Sequence, residues 1–202
     1  MAFSQTSNNK ELDTIAHVGF MGLGKLGLPC AIACASKGHY IMGYDPNPAV
    51  SEYIKKRELP YKEIHSKDML EDNYSKFVSV GNTDNHLHKM VQGCDLIFVP
   101  IQTPHEAKYE GITRISDDRV DFNYTYLKNG IKQLADKIEQ ICSGTSRTIT
   151  VIIISTVLPG TVDREIRPLL NKHISLCYNP FFIAMGTTIK DFLSPEFVLF
   201  GY

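Results

Sequence analysis

Short apolar runs bounded by turn residues alternate along this chain with segments of helical period. Residues 15–20 (IAHVGF) are the first such run and predict a strand. Gly22, Gly24 and Gly27 follow at once. Residues 25–37 then predict a helix, which Pro29 should bend or locally loosen unless its first turn starts later. Gly38 and His39 turn the chain into a second predicted strand, residues 40–44, which ends in Asp45. Strand, glycine turn, helix and strand in this order open a parallel α/β unit.

The pattern continues in the same style. Asp45-Pro46-Asn47-Pro48 is a turn into a short helix reaching about residue 57, and the polar stretch 58–76 reads as a loop and a short helix. Strands are predicted at 77–80 and 95–99, with a helix at 85–92 between them. Residues 105–121 form a 17-residue loop, long for an α/β connection. It reads either as a lid or partner surface or as a tolerated insertion. From 122 to 142, Tyr124, Leu127, Ile131, Leu134, Ile138 and Ile141 recur at spacings of three and four, the signature of an amphipathic helix covering a sheet. Residues 148–154 (TITVIII) are β-branched throughout and predict a central strand covered on both faces. Pro159 and Gly160 lead into a helix through about residue 170. A strand at 174–177, a Phe-rich loop after Asn179-Pro180 and a last strand at 197–200 complete the chain. The expected fold is Rossmann-like α/β, a doubly wound and mostly parallel sheet with helices on both faces.

Composition narrows the function classes. The 202 residues are 43% hydrophobic, enough to fill a core, and 21 Lys+Arg against 22 Asp+Glu give a net charge of -1. A strongly electropositive nucleic-acid binder is not expected. No run approaches 18 apolar residues, so no membrane span is expected. Residues 1–13 are polar, lack signal-peptide order and read as a flexible leader to a domain at 14–202. Cys30, Cys34, Cys94, Cys142 and Cys177 are odd in number and lie mostly in apolar runs. They read as free thiols of a reducing, cytoplasmic compartment. No clustered ligands suggest a metal site.

The candidate chemistry lies at the glycines. Gly22-Leu23-Gly24-Lys25-Leu26-Gly27 matches GxGxxG, follows a strand, opens a helix and precedes an acid, Asp45, 23 residues after Gly22. That combination is a dinucleotide fingerprint. Gly22 permits the tight turn, Gly24 lets pyrophosphate approach the backbone, and Gly27 lets helix and strand pack closely. Asp45 is placed to accept hydrogen bonds from the adenosine ribose and to repel a 2′-phosphate, so NAD is expected over NADP. Lys25 either reaches a phosphate or is a solvated residue. Thr103-Pro104 and Ser155-Thr156 lie just beyond predicted strand ends, where cofactors sit in such sheets. Their hydroxyls either meet the cofactor or cap a loop.

Taken together, four segments resemble the N-terminal domain of the UDP-glucose/GDP-mannose dehydrogenase family. They are VGFMGLGKLGLPCAIACASKGHYIMGYD at 18–45, DLIFVPIQTP at 95–104, STVLPGT at 155–161 and YNPFFIAMGTTIKDF at 178–192. The resemblance implies oxidation of the 6-hydroxymethyl of a nucleotide sugar to a carboxylate, with two NAD and a thiohemiacetal and thioester on a cysteine. It implies that Gly22, Gly24, Gly27 and Asp45 bind NAD. Thr103 would approach the adenosine half, and Thr156 would lie near nicotinamide and the catalytic water in a supporting role. It is compatible with a homodimer of the complete protein.

Two departures stand against that pattern. Phe181 and Met185 occupy the positions of two glutamates in the family's NPEFLxEG type, and neither can move a proton. The chain also ends at Tyr202, before the central helix and the nucleophilic cysteine that the resemblance implies. By itself it is expected to bind cofactor and turn over poorly or not at all. Two alternatives stay open, a non-catalytic NAD-binding or sensor protein and a dehydrogenase of a simpler hydroxy acid.

Overall fold

The computed structural model describes residues 14–109 and 120–202. The expected leader at 1–13 and residues 110–119 of the long loop lie outside the described residues. Six strands, β1 (His17–Met21), β2 (Tyr40–Tyr44), β3 (Phe77–Gly81), β4 (Leu96–Val99), β5 (Ile149–Ile153) and β6 (Ile174–Tyr178), form one sheet. Their order is β3-β2-β1-β4-β5-β6, and every pairing is parallel. This is the doubly wound order, with its switch between β1 and β4.

Alternation along the strands explains why both faces are covered. Val18, Phe20, Phe98, Ile152 and Ile154 face one layer, built on the helices α1 (Gly27–Ser36), α2 (Ala49–Lys56), α3 (Ser66–Asn73) and α6 (Thr188–Leu193). Met21, Ile97, Val99, Val151 and Ile153 face the other, built on α4 (Asp84–Gly93) and α5 (Thr125–Cys142). The predicted stripe on α5 is its buried face: Leu127, Ile131, Leu134 and Ile138 are all within 1% of full burial. The burial of α1 is more complete, with Gly27 through Ala35 buried without a break. Its Ala and Cys side chains are small enough to admit the sheet on one side and α3 and α6 on the other.

Three local expectations need correction. The first helix starts at Gly27, not at residue 25, so Pro29 falls in its first turn. An N–H there has no intrahelical partner to lose, and the reason for a bend disappears. The segment after Gly160 is not one α-helix. It is a wide π turn at Val162–Ile166 followed by a 3-10 turn at Arg167–Leu169, where Pro168 has no N–H to continue the helical ladder. Residues 197–200 do not form the expected strand. One antiparallel bridge, Tyr178 to Gly201, ties that segment to β6, and Phe197, Val198, Leu199 and Phe200 are each more than half exposed.

Candidate functional site

Because all six strands run the same way, the loops after β1, β2, β4 and β5 emerge along one edge. The predicted site residues lie on these loops, so the topology gathers them from four separated parts of the sequence. The turn after β1 is set by two glycines. Gly22 adopts φ +111°, a left-handed conformation that side chains resist, and its N–H donates to the Tyr44 carbonyl at 2.8 Å. At Gly27 a Cβ would stand 2.2 Å from the Gly22 carbonyl oxygen and 2.7 Å from Pro100 Cγ. The start of α1 therefore presses directly against the turn and against the end of β4.

Gly24 differs from both. It is exposed, and a Cβ there would meet nothing within 4 Å. Packing inside the protein gives no reason for a glycine at this position. Room for a ligand to approach the backbone does. Lys25 is exposed beside it, and Leu26 is half-buried as the N-cap of α1. Leu23 is anchored in the core at 1% exposure, and its N–H donates to Asp45 Oδ2 at 2.7 Å. The other carboxylate oxygen, Oδ1, accepts the Asn47 N–H at 2.8 Å. Asp45 thus joins the glycine turn to the end of β2 while each oxygen keeps a further lone pair.

On the far side of β1 the loops after β4 and β5 are tied together. Thr103 Oγ1 donates to the Thr156 carbonyl at 2.7 Å. Ser155 is buried, and its hydroxyl donates to the Val99 carbonyl at 3.1 Å. Thr156 is exposed. The Pro104 carbonyl accepts the Asn123 N–H at 2.8 Å, which closes the base of the long loop.

Two tyrosine hydroxyls whose contacts the sequence does not show also reach this edge. Tyr61, from the unassigned polar stretch, donates its hydroxyl to the Gly24 carbonyl at 3.2 Å. No periodicity marks it, since only the tertiary fold brings it to the turn. Tyr124, on the predicted stripe, is buried as expected at 6% exposure. Its hydroxyl donates to Asp121 Oδ1 and accepts both the Leu158 N–H and Thr161 Oγ1 at 3.2 Å. Burial and the Asp121 hydrogen bond push this phenol up, which keeps it protonated at neutral pH.

The loop after β6 carries Phe181 and Met185 at the two positions where the family pattern has glutamates. Phe181 stacks edge-on against Phe192 at 5.1 Å between ring centroids, and Phe192 meets Phe98 at 6.2 Å. A cavity of about 350 Å³ opens here, lined by Phe98, Ile152, Phe181, Phe192 and Phe197 among others. Met185 is 68% exposed. The loop is held by Asp191, whose Oδ2 accepts the Ala184 N–H at 3.0 Å and the Thr187 hydroxyl at 2.8 Å. Those hydrogen bonds, the backbone one foremost, hold its carboxyl below the ordinary range.

The described thiols are free. Burial pushes Cys34 up to about 12, and Cys94 likewise to about 12, so neither is poised as a thiolate nucleophile. Cys177, in β6, is part-buried. Among the described residues no group of three or more His, Cys, Asp or Glu could hold a metal, and no helix is long and apolar enough to cross a membrane.

A parallel sheet of this order with a glycine turn at its switch defines a Rossmann-type domain. Residues 16–202 match the model of the UDP-glucose/GDP-mannose dehydrogenase family, NAD binding domain, and the chain belongs to that family. It is 25% identical over 192 residues to a GDP-mannose 6-dehydrogenase of Pseudomonas putida, covering 91% of this chain and 40% of that protein. It is 26% identical over 191 residues to a UDP-glucose 6-dehydrogenase of Rickettsia conorii, covering 92% of this chain and 39% of that protein. The chain therefore spans well under half the length of these curated relatives. Among solved structures, a GDP-mannose dehydrogenase ternary complex from Pseudomonas aeruginosa is similar with TM-score 0.72 at 25% identity, over 93% of this chain and 41% of that one. A UDP-glucose dehydrogenase from Pyrobaculum islandicum shares the fold with TM-score 0.74 at 23% identity, over 95% and 41% respectively.

Proposed function

We propose that this chain is the cofactor-binding part of a nucleotide-sugar 6-dehydrogenase-like oxidoreductase, and that its crevice takes NAD in preference to NADP. One observation carries the reading: the glycine turn is packed tight at Gly27 but faces open space at Gly24, at the switch point of the sheet. Gly24 and the N-terminus of α1 would hold the pyrophosphate, with backbone N–H groups and the helix field favouring its charge. Lys25 stands exposed on the rim to add a positive charge. Asp45, already aligned by Leu23 and Asn47, would accept the adenosine ribose hydroxyls. The loop bearing Thr103 and Pro104 would border the adenosine half, and the loop bearing Ser155 and Thr156 the nicotinamide half. The cofactor would supply the hydride acceptor, and the protein would contribute orientation and electrostatics.

A second reading, cofactor binding without turnover, is favoured by Phe181 and Met185. An aromatic ring packed on Phe192 and an exposed thioether offer no base for a sugar hydroxyl and no group to direct water. Calorimetric titration tests the cofactor claim. The chain should bind NADH saturably and about tenfold or more tighter than NADPH, because the Asp45 carboxylate meets a second anion. Equal affinity for the two would contradict the assignment of Asp45. Added UDP-glucose or GDP-mannose with NAD should give no NADH absorbance from this chain alone. Sustained turnover would overturn the second reading.

A further inference from the structure

Resting on the cofactor reading above, we infer that Tyr124 is a positioning residue that holds the loop after β5 in place for the second half of the dinucleotide. Asp45 closes β2 and Thr156 follows β5. In the order β2-β1-β4-β5 these are three strand spacings apart, on the order of 14 Å. A ligand anchored by its adenosine at Asp45 meets the β5 loop only with its distal half.

Hydrogen bonds to one phenol fix that loop. Beyond Thr156 it crosses the sheet edge through exposed Leu158, Pro159 and Gly160. Between Ser155 and the buried Thr161, two of its polar groups end on one atom, the Tyr124 hydroxyl oxygen. It accepts hydrogen bonds from the Leu158 N–H and Thr161 Oγ1, each at 3.2 Å, and donates its own to Asp121 Oδ1. Tyr124 is 6% exposed and Thr161 0%, so water does not readily replace these bonds. Asp121 has other partners, the Phe122 N–H and the Arg164 guanidinium. Loss of the Tyr124 hydroxyl therefore falls on residues 158–161. Thr103 Oγ1 on the Thr156 carbonyl is then the remaining side-chain tie from the β4 loop.

The test is Tyr124→Phe in the 202-residue chain, which keeps the ring and removes one oxygen. Affinity for NADH and for ADP is measured by calorimetry on the variant and the wild type. Amide exchange at Leu158 is followed alongside. The expected result is a loss of about fivefold for NADH, equivalent to one hydrogen bond, with ADP changed by less than about twofold. Leu158 exchanges faster. Thr161→Val, which removes only one of the two bonds to the loop, should give a smaller loss of the same selectivity. A merely structural role would weaken NADH and ADP alike, and that outcome overturns the inference, as does an unchanged NADH affinity. If the wild type itself binds neither ligand, the cofactor reading fails and this inference falls with it. That failure is read on the wild type alone, not on the ratio between variant and wild type.

Discussion

Asp45 shows how much of this site depends on single side chains. Its carboxylate is held by two backbone N–H groups, Leu23 at 2.7 Å and Asn47 at 2.8 Å, before any ligand arrives. Charge-assisted bonds of this kind fix the rotamer and leave both oxygens with acceptor capacity. Preorganisation lowers the entropic cost of engaging a ribose diol. Asp45→Asn removes the charge and turns one acceptor into a donor facing an N–H. It should weaken NADH about tenfold while leaving NADPH little changed, so the preference between them narrows. Parallel titrations of the two cofactors read this out, and an undiminished preference would place discrimination outside Asp45.

At the scale of elements, the site is a set of loops kept in register by a few contacts. Gly27 against Gly22 and Pro100 locks α1 to the ends of β1 and β4. The loop after β6 is held differently, through the Asp191 carboxylate and α6, whose Ile189 N–H donates to the buried Glu63 at 3.0 Å. Because folding lowers the Asp191 carboxyl, its contribution is present above the ordinary carboxylate range and is lost as pH falls below it. Asp191→Ala should melt at a lower temperature than wild type at pH near 7, with the two curves converging as pH falls below the ordinary carboxylate range. Thermal melts across that range check the sign. Convergence at high pH instead would contradict it.

The same elements show what could be read in advance. The strand at Tyr40–Tyr44 has its predicted bounds, since Gly38-His39 and the Asp45-Pro46 turn delimit it, and α5 buries most of its predicted stripe, because that periodicity reports one buried face. The Gly22, Gly24 and Gly27 spacing placed the turn, since the positive φ at Gly22 and the close packing at Gly27 both require a residue without a side chain. The six-residue α6 was not legible: a helix this short depends on Glu63, 126 residues away in sequence, at its N-terminus. Tyr61 on Gly24 and Tyr124 on Leu158 were hidden for the same reason, being hydrogen bonds between distant segments. The apolar run at 197–200 has the composition of a strand but a single bridge to pair with, and composition alone does not supply a partner strand.

For the molecule as a whole, the parallel sheet assembles the site. Its order brings the turn after β1, Asp45 after β2 and the tied loops after β4 and β5 to one edge, and leaves an aromatic wall of Phe98, Phe192 and Phe181 beside them. On the reading proposed above, these loops border the cofactor, and the 179–187 loop beside them presents Phe181 packed on Phe192. The central claim is that a dinucleotide lies across this edge from Asp45 to Thr156. A crystal structure of the chain grown with NADH tests it most directly. The account predicts the pyrophosphate against Gly24 and the N-terminus of α1, the adenosine ribose on Asp45 and the nicotinamide beside Thr156. NADH bound away from the glycine turn, or lying with its nicotinamide end at Asp45, would contradict it.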